Sequence, residues 1–141
     1  MKGFVADIEE MTTDNTDFRR VLYTGKNLQL VLMAIQPGED IGEEVHVDHD
    51  QFFRIESGSG EVLIDGKTTK IKDDDAIIVP AGAKHNVINT GSEALLLYTI
   101  YGPPEHVDGT VHTTKSDAES AEEHFDGKVS EYSNLASELS Q

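Results

Sequence analysis

Through the middle of the chain, apolar and polar positions alternate in short runs separated by Gly, Pro, Asn and Asp. Residues 18–24 (FRRVLYT) read as a strand, closed by the turn residues Gly25, Lys26 and Asn27. Residues 28–35 (LQLVLMAI) are apolar on both faces, which predicts a strand covered from both sides. Pro37 and Gly38 stop it, because Pro has no N–H to give to a ladder. A short strand over residues 44–46 follows, in which Glu44 and His46 project to the same side. In residues 51–56 (QFFRIE) the alternation assigns Gln51, Phe53 and Ile55 to the interior and Phe52, Arg54 and Glu56 to the outside. Residues 61–64 and 67–71 make a hairpin across Asp65-Gly66, a strong two-residue turn signal. Strands at 76–79, 85–89 and 94–101 complete the series. Short strands with this punctuation predict an all-β sandwich or barrel.

The two ends read differently. Residues 1–16 are polar and predict an irregular arm, with a short strand at 4–7. Past Pro103-Pro104, residues 116–124 (SDAESAEEH) read as a helix with Ser116 as N-cap and Glu119 closing a capping box. Phe125, Val129, Tyr132, Leu135 and Leu139 then recur at spacings of three and four, the mark of an amphipathic helix. A frayed acidic tail is the alternative there. The expected organisation is an N-terminal arm over 1–17, a barrel over 18–102 and a C-terminal extension over 103–141, helical and packed on the barrel or a partner.

Composition narrows the function classes. A chain of 141 residues suffices for one domain with a sizeable core. There is no Cys, so disulfides, thiolate ligands and thiol nucleophiles are excluded. With 27 acidic against 11 basic residues the net charge is −16, which opposes binding to a nucleic-acid backbone. No apolar run is long enough to span a membrane and no secretory pattern opens the chain, so a cytoplasmic protein is expected.

Two stretches concentrate the chemistry. PGEDIGEEVHVDHDQFFRIESGSG, at 37–60, places five, one, four and six residues between Gly38, Glu44, His46, Gln51 and Gly58. PAGAKHNVIN, at 80–89, places one, two and three between Pro80, Gly82, His85 and Asn89. This pair resembles the two motifs of the cupin superfamily: Gly, five residues, His-x-His, three or four residues, Glu, six residues, Gly, and later Pro-x-Gly-x-x-His-x-x-x-Asn. The resemblance covers roughly residues 18–101 without an internal repeat. It implies an all-β, single-domain cupin double-stranded β-helix, a jelly-roll barrel, with a short C-terminal helical extension. Asp74 stands where the family has Gly, and Asp tolerates turn conformations.

In the family, three His and a Glu converge on one divalent metal. His46 and His85 match that pattern, Glu44 stands in place of the first His, and Gln51 in place of the Glu. The resemblance therefore implies a metal site of Glu44, His46, Gln51 and His85, with the same single negative charge as the family's set. Two His and a carboxylate suit iron, manganese, nickel or zinc, one ion per chain. The alternative is a metal-free, hydrogen-bonded cluster inside a binding pocket. His49 is expected on an exposed turn. His106, Asp108 and His112 suggest a second polar cluster at a lid or barrel mouth, with a spacing that matches no standard site. Tyr98 and Tyr101 lie on opposite faces of the last strand, as core or with one hydroxyl turned to the pocket. Lys84 should point outward, and the lack of an evident Arg/Lys cluster argues against a phosphorylated substrate.

Small cupins of this kind resemble the mannose-6-phosphate-isomerase-like group. That resemblance implies an isomerase acting on a small sugar or sugar phosphate through a metal-stabilised enediolate. A cupin dioxygenase using a non-haem metal and a non-catalytic small-molecule binding module are the alternatives. The sequence assigns no catalytic residue. The expected partners are a small molecule and a second copy of the chain, a homodimer built through the face that carries Phe52, with no nucleic acid and no membrane.

Overall fold

The structure is a computed structural model and describes residues 1–131. Ten strands follow a first short helix: β1 (Arg19–Thr24), β2 (Gln29–Ile35), β3 (Glu44–Val45), β4 (Asp50–Ser57), β5 (Ser59–Ile64), β6 (Lys67–Lys72), β7 (Ala76–Val79), β8 (Lys84–Ile88), β9 (Leu95–Gly102) and β10 (Val111–His112). They form a six-stranded antiparallel sheet in the order β10-β1-β2-β9-β4-β7 and a four-stranded one in the order β3-β8-β5-β6. The inner faces meet in one core, Val31, Phe53, Ile55 and Leu97 from the first sheet against Val62, Ile71 and Val87 from the second. This is the expected jelly-roll barrel.

Alternation in the sequence maps onto the two faces of the sheets. Along β9 buried and half-buried residues alternate without a break, and in β4 Gln51, Phe53 and Ile55 point in while Phe52, Arg54 and Glu56 lie partly exposed. Burying a side chain such as Leu97 or Phe53 fully stabilises the fold by about 1.5–3 kcal/mol. In β2, Val31, Met33 and Ile35 enter the core, while Leu32 and Ala34 are buried on the opposite face. The hairpin between β5 and β6 turns on Asp65 and Gly66, with φ of 47° and 83°, the twist that fits right-handed strands. Gly58, at φ 98°, passes so close to β9 that a Cβ there would lie 2.8 Å from the Ala94 carbonyl oxygen. Asp74 adopts φ 73°, taking the left-handed conformation for which the family uses Gly.

The ends depart from expectation. Residues 8–14 form a helix, α1 (Ile8–Asp14), and no strand forms at 4–7. Asp7 caps it, its carboxylate accepting from the Glu10 N–H at 3.1 Å. The helix packs across the outside of β9 and β4, so the sheet is covered from both sides there. After β9 the chain returns to the sheet: Val111 and His112 pair with Arg20 and Arg19, so the six-stranded sheet reaches beyond residue 102. The C-terminal helix, α2 (Lys115–Ser120), starts one residue earlier than expected and ends four earlier. Thr114 rather than Ser116 is its N-cap, and Asp117 rather than Glu119 closes the capping box. It stops at Ala121 because the following residues bond elsewhere: the Val107 N–H donates to Glu123 at 2.8 Å, and the Phe125 N–H to the Glu105 carbonyl at 2.8 Å. A single turn and a half of helix does not outweigh such contacts. The second amphipathic helix, from Phe125 onward, shows no helical residue up to 131, and Tyr132, Leu135 and Leu139 lie outside the described residues.

Candidate metal centre

Strand register brings the two motifs together. Glu44 on β3 pairs directly with His85 on β8, so their side chains share a face. Gln51 on β4 pairs with Tyr101 on β9 and enters from the opposite sheet. His46 follows β3, and its carbonyl accepts from the Gly82 N–H at 2.9 Å, tying the first motif to the second. The sequence-predicted residues Glu44, His46, Gln51 and His85 therefore all reach the inside of the barrel at one end.

Their polar atoms converge. The ligand atoms of Glu44, His46 and His85 all lie within 4.8 Å of one another. His46 Nε2 donates to Glu44 Oε2 at 2.9 Å. His85 is 2% exposed, and its Nδ1–H donates to the Ala83 carbonyl at 3.2 Å. That bond leaves Nε2 as the ring's lone-pair nitrogen, and among the described residues Nε2 is buried without a partner. Gln51, also 2% exposed, is fixed in the same manner. Its Nε2 donates to Thr99 Oγ1 at 3.0 Å, while the Thr99 hydroxyl proton goes to the Phe52 carbonyl at 2.8 Å. The amide oxygen, Oε1, is left buried and unpartnered. Two orphaned acceptors inside the barrel, one on each sheet, are unusual, because buried polar groups normally find partners.

Charge is distributed in keeping with this geometry. The hydrogen bond to Glu44 raises the His46 pKa, outweighing the opposite effect of burial. For Glu44, burial acts to raise the pKa, but the His46 hydrogen bond and the positive fields of His46, Arg19 and His85 together bring it below its ordinary value. Burial holds His85 low, so it stays neutral.

The mouth of the site holds residues that the motifs do not contain. His49, expected on an exposed turn, is only half-exposed and faces inward, with Nε2 at 2.9 Å from the Pro104 carbonyl and 3.3 Å from Glu105 Oε2. Glu105 Oε2 also lies 3.8 Å from His46 Nδ1. His46, His49 and Glu105 thus form a second set of potential ligands that shares His46 with the first. Tyr101, not Tyr98, turns its hydroxyl into the site, 3.2 Å from His106 Nε2. His106 is held in turn by Glu123 through Nδ1. His106, Asp108 and His112, suggested as one cluster, have different partners here. His106 joins the site, Asp108 accepts from Thr24 and Ser130, and His112 lies against Arg19. Lys84 points outward to Glu43 at 2.6 Å, as expected.

Glu105 and Arg19 were missed by sequence reasoning. Glu105 comes from the segment after the barrel, where no spacing links it to the motifs. Arg19 carried a signal: it alternates in phase with buried Val21, and it too is buried. A cavity of about 330 Å³ opens beside the cluster and is lined by Arg19, Glu44, Glu105 and His106 among others. The larger concavity, about 520 Å³, lies on the outer face around Phe52, Ile78 and Ile100 and gathers no such set of titratable groups.

Comparison with known proteins agrees with this architecture. Residues 31–101 match the family described as Cupin domain. The chain is 51% identical over 129 residues to YrkC of Bacillus subtilis (strain 168), which spans 86% of this chain and 69% of that protein. The crystal structure of BH2720 from Bacillus halodurans superposes with a TM-score of 0.84 at 49% identity, covering 85% of this chain and 96% of the other. A more distant likeness, 28% identity over 87 residues, is to a mannose-1-phosphate guanylyltransferase of Salmonella montevideo, with 62% of this chain and 17% of that protein covered. With the matched region, the barrel topology and the paired motifs in agreement, this chain belongs to the cupin family.

Proposed function

We propose that the chain binds one divalent cation (iron, manganese, nickel or zinc) through Glu44, His46, Gln51 and His85, and acts in the cytoplasm as an isomerase of a small sugar-type substrate. The observation that carries this reading is the convergence of Glu44, His46 and His85, with the buried, unpartnered His85 Nε2 among their ligand atoms and a second unpartnered acceptor, Gln51 Oε1, on the inner face of β4. Leaving one such acceptor unsatisfied costs about 1–3 kcal/mol, and a cation satisfies both together with the carboxylate. The donors are two imidazoles, one carboxylate and one amide oxygen, a set without sulfur that suits these metals. When bound, such a cation supplies Lewis acidity toward the carbonyl and hydroxyl oxygens of a substrate.

The chain's own residues supply the remaining functions. Glu105 places a carboxylate on the cavity wall, within reach of His46 and His49, and is the proton acceptor of this reading. Burial, then the nearby Glu44 charge, pushes the Tyr101 hydroxyl well above its ordinary pKa. Tyr101 therefore keeps its proton and donates a hydrogen bond. The likeness to a protein named mannose-1-phosphate guanylyltransferase supports a sugar-type substrate. A second copy of the chain is proposed to cover the outer face where Ile78 is 70% exposed beside Phe52 and Ile100.

The test follows aldose and ketose pairs by NMR in D2O, using the full chain loaded with zinc or manganese. Interconversion without oxygen, with deuterium entering at the carbon next to the carbonyl, is the expected result. Turnover that needs both oxygen and iron would replace this reading with a dioxygenase. Saturable binding without turnover of any pair would replace it with a binding module.

A further inference from the structure

Arg19 is a cation enclosed by the barrel. Its side chain is 8% exposed, and its guanidinium carbon lies 5.4 Å from the centroid of the Phe18 ring. Nη1 lies 3.2 Å from His112 Nδ1, and burial, then the charge of Arg19 itself, keeps His112 neutral. Nε is buried with no hydrogen-bond partner, and among the described residues the guanidinium makes no ion pair. Glu44 and Glu123 feel its field without touching it. A buried guanidinium with a free edge is expensive, and buried charges are ordinarily paired.

The surroundings say what would pair it. Arg19 lines the 330 Å³ cavity together with Glu44, on the side of β1. With Nη1 turned to His112, the edge formed by Nε and Nη2 is left, two parallel N–H groups that match a carboxylate or phosphate. Lys115, on the same wall, is committed to Asp40. Glu119 and Glu122 stand exposed at the rim, where solvent screens them.

We infer that Arg19 is the anion-recognising residue of this cavity, and that the substrate is a small oxygenated anion. Its carboxylate or phosphate seats on the guanidinium, and its hydroxyl and carbonyl oxygens face Glu44, His46, Gln51 and His85. The inference builds on the reading of that cluster as a cation site. It also reverses the sequence-based expectation, since a pocket cation removes the objection to a phosphorylated substrate.

Calorimetric titration at constant ionic strength tests it, with gluconate and glucose 6-phosphate against the neutral glucitol and glucose. Zinc-loaded wild type should bind at least one of the anions about tenfold or more tighter than its neutral counterpart. Preference for gluconate identifies the carboxylate as the recognised group, and preference for glucose 6-phosphate the phosphate. Arg19→Met should lose that preference and Arg19→Lys, which keeps the charge without the planar fork, should keep only part of it, while affinity for the neutral sugars stays the same. Circular dichroism checks that the variants fold; if they do not, the wild-type comparison of anion with neutral decides alone. Equal affinity for charged and neutral probes, or an Arg19→Met protein that keeps the preference, overturns the inference. Metal content measured on the same samples separates the two ideas. Zinc-loaded protein without a charge preference defeats the role of Arg19 only, and a metal-free protein with an Arg19-dependent preference defeats the cation site only.

Discussion

Thr99 stands behind the site, and its hydroxyl decides which end of the Gln51 amide faces the centre. Because the Thr99 proton is spent on the Phe52 carbonyl, Thr99 can only accept from Gln51, so the amide presents its oxygen inward. Thr99→Val keeps the shape, removes the acceptor and lets the amide turn over. Cation affinity should then fall about 10- to 100-fold, as when other residues that orient ligands are lost. Equilibrium dialysis measures this, and an unchanged affinity would show that Gln51 is not held for a cation. The proton on His46 sets the pH response. Glu44 raises the His46 pKa above its ordinary 6.5, and a cation must displace that proton. Affinity should therefore fall as pH decreases, starting above pH 6.5, with His85, whose value is lowered, protonating only further down. A titration of zinc binding across the neutral range checks the sign, and affinity that rises on acidification would refute it.

Among the elements, the barrel strands β1 to β9 and the C-terminal helix were legible in the sequence, and α1 and β10 were not. Period-two alternation in β4 and β9 reflects one buried face, and Asp65-Gly66 fixed the hairpin by its dihedral preference alone. α1 was missed because its seven residues are mostly polar and only a weak apolar stripe marks it. The signal lay in Asp7 with Glu10 three residues on, an N-cap pattern easily taken for surface charge. β10 has no local pattern at all, since two residues become a strand only by pairing with Arg19 and Arg20. α2 was placed correctly but read too long, because tertiary bonds of Glu123 and Phe125 cannot be seen in local periodicity. Removing the cap tests α1 directly. Asp7→Ala should lower stability by about 1 kcal/mol in urea denaturation, and no change would mean the helix is held by packing alone.

At the scale of the whole molecule, the motifs located one wall of the site and the topology supplied the other. Glu44, His46, Gln51 and His85 were readable as candidates because their spacings match the two motifs. The pairing of β3 with β8 then puts Glu44 and His85 on one face, and Gln51 enters from the facing sheet. Glu105 was not readable as a site residue, and His106 only as part of a cluster at the barrel mouth, since the chain must leave the barrel at Pro103 and return before they meet the site. Ile78, with Phe52 and Ile100 beside it, forms an exposed apolar patch on the outer face of the six-stranded sheet. Burying Phe52 against a partner contributes about 2 kcal/mol, so light scattering at micromolar concentration should give twice the 15.5 kDa chain mass. Ile78→Lys should return it to one chain mass, and a monomeric wild type would refute the dimer.

The central claim is the cation site of Glu44, His46, Gln51 and His85, against the overlapping set of His46, His49 and Glu105. Metal analysis of dialysed wild type, His46→Ala, His85→Ala and His49→Ala decides between them. One cation per chain in the wild type and in His49→Ala, with none in His46→Ala or His85→Ala, is the predicted result. A wild type that binds none of iron, manganese, nickel or zinc, or a His85→Ala protein that retains its cation while His49→Ala loses it, would contradict the account.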